Sequence, residues 1–301
     1  MMGRYWRPIQ LPGRLSKESF KESFEETFRS MTATVPPRDW TDIHWPDFAG
    51  DAAARWIAVL PLAATEQHGP HLPLGTDVMI AQAYLARVRE LLDGSLPATF
   101  LPIQPVGIST EHIDYPGTLT LPTDVALKAW TALGESVARA GLKKLVIVTS
   151  HGGNSAAMSL VAQDLRAQHG LVVVTTSWSR LSAAEGFFSA PEVQHGIHGG
   201  AVETSIMLAR YKQHVRHEAI ADFRSAGIAM EKDYRWLSPH RPAPFAWQAQ
   251  DLHPGGAVGD ATQATAEKGE RLLDHGARAF CELLGDLDRF DPKTLSNVPK
   301  V

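Results

Sequence analysis

Apolar residues along this chain fall into short unbroken runs, separated by longer stretches in which they recur every three or four positions. The runs read as strands buried on both faces, and the periodic stretches as helices with one apolar side. The first run is Arg55-Trp56-Ile57-Ala58-Val59-Leu60-Pro61-Leu62, and helical periodicity follows from Met79 to Leu92. A second run, Ala98 to Val106, leads through a loop rich in Gly, Ser and Pro (Gly107 to Pro122) into a helix from Thr123 to Ala140, with Thr123 or Asp124 available as its cap. Lys143 to Ser150 is the best strand in the chain. His151-Gly152-Gly153-Asn154 turns it into a helix over Ser155 to Gln168, and Leu171 to Ser177 is the next β-rich run. Gly199-Gly200 precedes a helix that runs to Arg210. Pro239 to Pro254 reads as a loop, and Thr262 to Leu287 as a closing helix.

Strands alternating with helices of this length predict an α/β fold with three α/β/α layers and a mainly parallel central sheet. Ahead of that pattern, Ser16 to Met31 places Phe20, Phe24 and Phe28 four apart, an amphipathic helix stopped by Pro36-Pro37. The chain therefore divides into an N-terminal arm (1–45) packed on the body or on a neighbouring subunit, a single domain (46–290) and a C-terminal tail (291–301).

With 301 residues, 44% of them hydrophobic, the chain can bury a sizeable core. Its 29 Lys and Arg against 33 Asp and Glu leave a net charge of -4, which offers no footprint for nucleic acid or an anionic membrane. No apolar run approaches the ~20 residues of a membrane helix. Small polar molecules and further copies of the chain are the expected partners. The single cysteine, Cys281, cannot form an intrachain disulfide or a zinc ribbon, and with the absence of an apolar leader it suggests a cytoplasmic protein. Thirteen histidines raise the prospect of metal chemistry only slightly.

In an open parallel sheet, ligands gather beyond the carboxyl ends of the strands. Directly after the first strand stands Thr65-Glu66-Gln67-His68-Gly69-Pro70-His71-Leu72-Pro73-Leu74-Gly75-Thr76-Asp77. In an extended segment Glu66 and His68 point to one side and can share a metal, and Asp77 can return to the same place from the following helix. The plainer alternative makes both acids solvated loop residues, with Asp77 merely a helix cap. His151 ends the best strand, and Asn154 can hold a loop or a substrate by hydrogen bonds. Glu203 lies in the first turn of the helix after His198-Gly199-Gly200, where a dipole-favoured surface acid is the bland reading. Together Glu66, His68, Asp77, His151 and Glu203 form a mixed nitrogen and oxygen set suited to Zn²⁺ or Mn²⁺. Five ligands suit two divalent ions per chain, bridged by Asp77, with a shared water whose lowered pKa makes it a nucleophile toward carbonyl carbon. His198 is placed to protonate a leaving nitrogen or stabilise an oxyanion.

These motifs, with Ser150-His151-Gly152-Gly153-Asn154, His198-Gly199-Gly200, Glu203-Thr204-Ser205 and an echo at Gly256-Ala257-Val258-Gly259-Asp260, resemble the creatininase (creatinine amidohydrolase) family. The resemblance runs from about Trp56 to Arg210. It implies an α/β/α fold, a dinuclear Zn/Mn centre, hydrolysis of cyclic or linear amides, and often a homohexamer built as a trimer of dimers. The family's ligands fall on Glu66, His68, Asp77 and His151, and its catalytic histidine on His198.

Two departures bear on substrate. Creatininase proper carries Tyr-Glu where this chain has Gly152-Gly153, and that Glu is a metal ligand there, so Glu203 is the expected replacement, beside His198 at the catalytic position. Its flap Trp, four positions before the catalytic His, is here Gln194. Creatinine is therefore not the expected substrate. The His-Gly-Gly-Asn form resembles other branches: deformylases of pterin-like precursors, a mycofactocin-precursor peptidase, and a hydrolase that opens an inositol-derived cyclic diketone. In the loop from Gly107 to Thr118, Ser109, Glu111, His112 and Asp114 can hydrogen-bond a polar ligand or serve the fold, and Trp178 can stack on a planar one or be core. We take Ser109, His112, Asn154, Trp178 and Gln194 as the substrate-binding set. The leading expectation is hydrolysis of an amide C–N bond. Against it stand C–C ring opening of a cyclic diketone by the same centre, which releases no amine, and a non-enzymatic metal-dependent binding protein.

Overall fold

The computed structural model describes residues 35–49, 51–182, 186–240 and 242–295. The expected helix from Ser16 to Met31 lies outside them. Four strands, β1 (Ile57–Leu62), β2 (Ala98–Phe100), β3 (Lys144–Thr149) and β4 (Val172–Ser177), form one sheet in the order β2-β1-β3-β4, all parallel. The helices α1 (Thr76–Leu91), α2 (Thr123–Arg139) and α3 (Ser155–His169) make the crossovers. They are followed by α4 (Trp178–Leu181), α5 (Ala190–His195), α6 (Ala201–Arg210), α7 (Ala226–Asp233), α8 (Ala249–Leu252) and α9 (Ala266–Arg289).

The side-chain period of two divides β1 and β3 between two cores. Ile57, Val59, Val146 and Val148 face a cluster with Tyr84 and Val88 of α1, Ile206 and Met207 of α6, and Leu272, Ala277 and Phe280 of α9. Ala58, Leu60, Leu145 and Ile147 face Ala126 and Trp130 of α2, Val161 and Leu165 of α3, and Trp56. That is why both strands read as unbroken apolar runs, and it gives the expected three α/β/α layers. The chain steps from β1 to β2 through α1 on one face. It then recrosses β1 to reach β3 through α2 on the other. The carboxyl ends of β1 and β3 thus form the topological switch point.

Some boundaries differ from expectation for identifiable reasons. The run from Ala98 to Val106 is a strand only to Phe100; Leu101 and Gln104 still donate to Val59 and Pro61, but Pro102 and Pro105 have no N–H to continue the ladder. Neither Thr123 nor Asp124 caps α2: Pro122 occupies the cap position, and Asp124 pairs with Lys128 at 3.2 Å. The closing helix starts at Ala266, where Thr265 caps the Lys268 N–H. The span from Pro239 to Pro254 is more than loop. It holds α8 and the strand β7 (Ala243–Pro244), paired with β6 (Leu237–Ser238). A further pair, β5 (Asp222–Phe223) with β8 (Gly259–Asp260), carries the glycine-containing echo motif beside His198.

Candidate metal centre

After β1 the chain folds back on itself: Glu66 N–H donates to Leu74 O at 2.9 Å, and His68 bridges to Leu72. This return carries Asp77 into the first turn of α1 and back toward Glu66. Asp77 does not cap the helix, since neither of its oxygens has a hydrogen-bond partner. At the end of β3, Thr149 Oγ1 accepts the His151 N–H at 3.0 Å and the Asn154 side-chain amide at 3.2 Å, fixing the turn.

Each imidazole is aimed by a bond on its far nitrogen. His68 donates Nδ1–H to Glu66 O at 3.0 Å, which leaves Nε2 facing Asp77 Oδ1 at 3.7 Å and Glu203 Oε2 at 3.9 Å. His151 donates Nε2–H to Ile108 O at 2.8 Å, which leaves Nδ1 3.0 Å from Glu66 Oε1 and 3.5 Å from Asp77 Oδ2. Such outer bonds fix the tautomer of metal-ligating histidines. His198 donates Nε2–H to Gln67 O at 2.6 Å, and its Nδ1 lies 3.6 Å from Glu66 Oε1. Glu203 accepts the Gly199 N–H at 2.6 Å, which holds its side chain over the start of α6.

Asp77 therefore offers one oxygen to a group with His68 and the other to a group with Glu66 and His151. Glu66, Asp77 and His151 come close enough to hold one ion, as do His68, His198 and Glu203, and Glu66, His112 and His198. Glu66 and His68 do not share a three-residue group, contrary to the sequence expectation. His68 spends its near nitrogen on Glu66's own carbonyl and directs the far one elsewhere.

The donor set fits divalent cations. Glu66, His68 and Asp77 are at most 1% exposed, and both carboxylates and His68 Nε2 lack hydrogen-bond partners. Buried charge of this kind requires a compensating cation. In its absence protons supply it. Burial favours a neutral His68, but Asp77 and Glu203 outweigh that and raise it to about 9. Burial likewise opposes charge on His151, yet Glu66 and Asp77 raise it to about 10. Burial pushes Glu66 up, but the charged His151 beside it outweighs that and holds it well below the usual carboxylate range. Burial raises Asp77 despite His68, and lifts Glu203 to about 7. His198 stays neutral: burial and the neighbouring His68 and His112 lower it far below an ordinary imidazole.

The family model for creatininase, described as creatinine amidohydrolase, matches residues 41–284. The chain belongs to the creatininase family. As a member it is a metal-dependent hydrolase of amidohydrolase type. It is 32% identical over 238 residues to the mycofactocin precursor peptide peptidase of Mycobacterium ulcerans, covering 77% of this chain and 83% of the relative. With the creatinine amidohydrolase of Pseudomonas putida it shares 27% over 254 residues, covering 77% and 90%. A crystal structure of creatininase has the same fold, with a TM-score of 0.68 at 24% identity over 84% of this chain and 99% of that one. The chain is thus a family member but not creatininase proper.

The surroundings of Gly153 leave no room for a side chain. A Cβ at Gly153 would lie 2.5 Å from Glu111 Oε1 and 2.6 Å from Ile108 O, so the loop carrying Glu111 fills that space. Glu111 Oε1 comes within 3.5 Å of His151 Nε2.

The substrate-binding set divides. His112 joins the cluster, with Nε2 3.4 Å from Glu66 Oε1. Ser109 is fully buried nearby, its hydroxyl unpartnered and its N–H bonded to Thr120. Asn154 does not face a ligand. It accepts the Ile108 N–H and donates to Ala63 O and Thr149, so of its two proposed uses it serves the loop. Trp178 is core: it stacks on Tyr84 at 4.5 Å with a 1° interplanar angle and packs on Phe280, the alternative foreseen for a tryptophan after a strand. Gln194 is exposed on α5 and donates to Glu231, outside the cluster. Asp114 is bonded to Gln250 at 2.6 Å. The sequence reading passed over Gln67. Its buried amide donates to His112 Nδ1 at 2.8 Å and Gly256 O at 2.9 Å, while its backbone carbonyl takes the His198 proton. Its position between Glu66 and His68 is the only sequence signal it carries.

Proposed function

We propose that this chain hydrolyses the amide C–N bond of a small polar substrate or short peptide, using two divalent ions, Zn²⁺ or Mn²⁺. The carrying observation is Asp77, whose two unpartnered oxygens face His68 Nε2 and His151 Nδ1 respectively. Glu66, Asp77 and His151 would hold one ion, and His68, Asp77 and Glu203 the other. Hard and borderline cations accept such oxygen and imidazole donors. Bound there, the ions polarise a carbonyl and lower the pKa of a water molecule. The substrate approaches from the side of Glu203 and Glu111, whose side chains are 20% and 18% exposed, whereas Glu66 is sealed.

His198 moves the proton. Its Nε2–H is pinned to Gln67 O, so its neutral Nδ1 is the acceptor facing the cluster. It takes a proton from the attacking water and returns it to the departing nitrogen. Its neutrality makes it a base before it is an acid. His112 and Gln67 fix its ring: the His112 ring lies 4.1 Å away, stacked at 24°. Relatives that are a peptide peptidase and a creatinine amidohydrolase both support an amide substrate.

A single hydrolase domain over 46–290, a hexamer arranged as a trimer of dimers and a cytoplasmic location belong to the same proposal. Among the described residues no helix is long and apolar enough to cross a membrane. The test is metal content per chain by elemental analysis, in wild type and Asp77→Ala, followed by a panel of amides and cyclic diketones. Two equivalents falling sharply in the variant, with amine released by wild type, are expected. Diketone cleavage without amine release, or no bound metal and no turnover on adding Zn²⁺ or Mn²⁺, would overturn the proposal.

A further inference from the structure

We infer that Glu192 is the positioning residue that sets His198 and Glu203 against the rest of the metal-binding cluster, by clamping three segments of the chain with one buried carboxylate. What it positions rests on the functional reading above; the clamp itself is read from geometry alone.

Glu192 sits on α5, a short helix whose Gln194 faces solvent, yet Glu192 itself is only 3% exposed. Its Oε1 accepts the N–H of Ala201, the first residue of α6, at 2.6 Å. Its Oε2 accepts the N–H of Asp260, in β8, at 2.5 Å. A carboxylate at the start of α6 also meets the positive end of the helix dipole, and charge-assisted bonds to backbone amides are the stronger kind. The surrounding backbone is packed against this group. A Cβ at Gly196 would collide with the carboxylate, one at Gly200 would lie 2.5 Å from Oε1, and one at Gly259 3.0 Å from it. Gly196 at the end of α5, Gly200 ahead of α6 and Gly259 in β8 thus leave room for this one side chain.

The two residues of interest are held between these fixed points. His198 lies between Gly196 and Gly200, and pairs with Val258 through bonds of 3.2 and 2.6 Å, two residues before the clamped Asp260. Glu203 lies two residues after the clamped Ala201 and reaches back to Gly199. Among the described residues, Glu192 belongs to none of the three groups able to hold an ion. It acts through the backbone that carries His198 and Glu203.

The test is Glu192→Gln, which keeps the shape but turns an amide donor toward a backbone N–H. Leu284→Ala, in the core on α9, serves as a control for general destabilisation. In metal-free protein, hydrogen exchange at the Ala201 and Asp260 amides is expected to accelerate at least about tenfold in Glu192→Gln relative to the control. In competition with a chromophoric chelator, Zn²⁺ affinity is expected to fall about 10–100-fold at one position only, the one served by Glu203. On the amide substrate, kcat falls while KM holds. Unchanged protection of the two amides, or equal weakening of both zinc positions as in Leu284→Ala, would overturn the inference. A wild type that takes up no zinc would refute the functional reading instead, and the exchange comparison would still decide the clamp.

Discussion

Loading this centre with zinc must expel protons, and their number follows from the two imidazoles that the buried carboxylates charge. His68 is raised to about 9 and His151 to about 10 in the metal-free protein. At pH 7.5, roughly nineteen molecules in twenty or more then carry each proton. These protons sit on Nε2 of His68 and Nδ1 of His151, the atoms that face the carboxylates, and an ion can take either lone pair only after its proton has left. Filling both of the proposed positions is expected to release about two protons per chain from the imidazoles. Glu203, lifted to about 7, adds a fraction of a third. Calorimetric titration of Zn²⁺ into metal-free protein, in buffers of low and high ionisation enthalpy, counts them from the slope of observed against buffer enthalpy. His68→Asn should lower the count by about one. A slope near zero in wild type would refute the argument that protons stand where the ions belong. The same charges set the pH dependence of the metal-free fold. Both folded pKa values lie above the ordinary 6.5, so the stabilisation is complete below about pH 6.5 and lost as pH rises through 9 and 10. Glu66 acts oppositely: its contribution is present above about 4.5 and lost as pH falls below it. Melting curves of metal-free and loaded protein should therefore diverge on the alkaline side.

Alanine at Gly269 of α9 would collide with the Ser205 carbonyl of α6, whereas alanine at Gly285 of the same helix meets only Arg289 Nη1 at 3.6 Å. By calorimetry Gly285→Ala should gain up to about 1 kcal/mol, and Gly269→Ala should lose about 2, overpacking of about 3 less about 1 of helix propensity, which lowers Tm by about 4–8 °C. Asn154→Ala removes three buried bonds, and is expected to cost about 2–4 kcal/mol in denaturant titrations and to expose the Ile108 amide to exchange. Trp178→Leu should cost about 2–4 kcal/mol with KM unchanged; a raised KM at full stability would return this residue to the substrate pocket.

Glu66, His68, Asp77 and His151 were legible because their place was fixed twice, once by short apolar runs that mark β1 and β3, and once by the rule that ligands collect beyond strand ends. Glu203 was legible more weakly, as an acid in the first turn after His198-Gly199-Gly200, and gained weight from the departure from creatininase proper at Gly153. His112 was assigned to the substrate because nothing periodic tells how the segment from Gly107 to Pro122 folds back over Glu66; that path is set by Asn154 holding Ile108 and by Thr120 holding Ser109. Trp178 misled for a related reason. A tryptophan after a strand faces either the crevice or the core, and only the packing of Tyr84 and Phe280 around it decides. Glu192 was silent, since an acid in a polar helix looks solvated until Gly196, Gly200 and Gly259 close over it.

The pairing of β1 with β3 joins Ile57 to Lys144, and β2 with all of α1 and α2 lies between them in sequence. Glu66 and His151 stand at the far ends of these two strands, so their 3.0 Å approach cannot exist in any partly ordered chain that has not closed that long loop. Parallel pairings of such separation form late and slowly. Metal therefore arrives as a lock and not as a seed: it should leave the refolding rate nearly unchanged and slow unfolding, so that the bound ions govern how long the folded chain persists more than how quickly it is made.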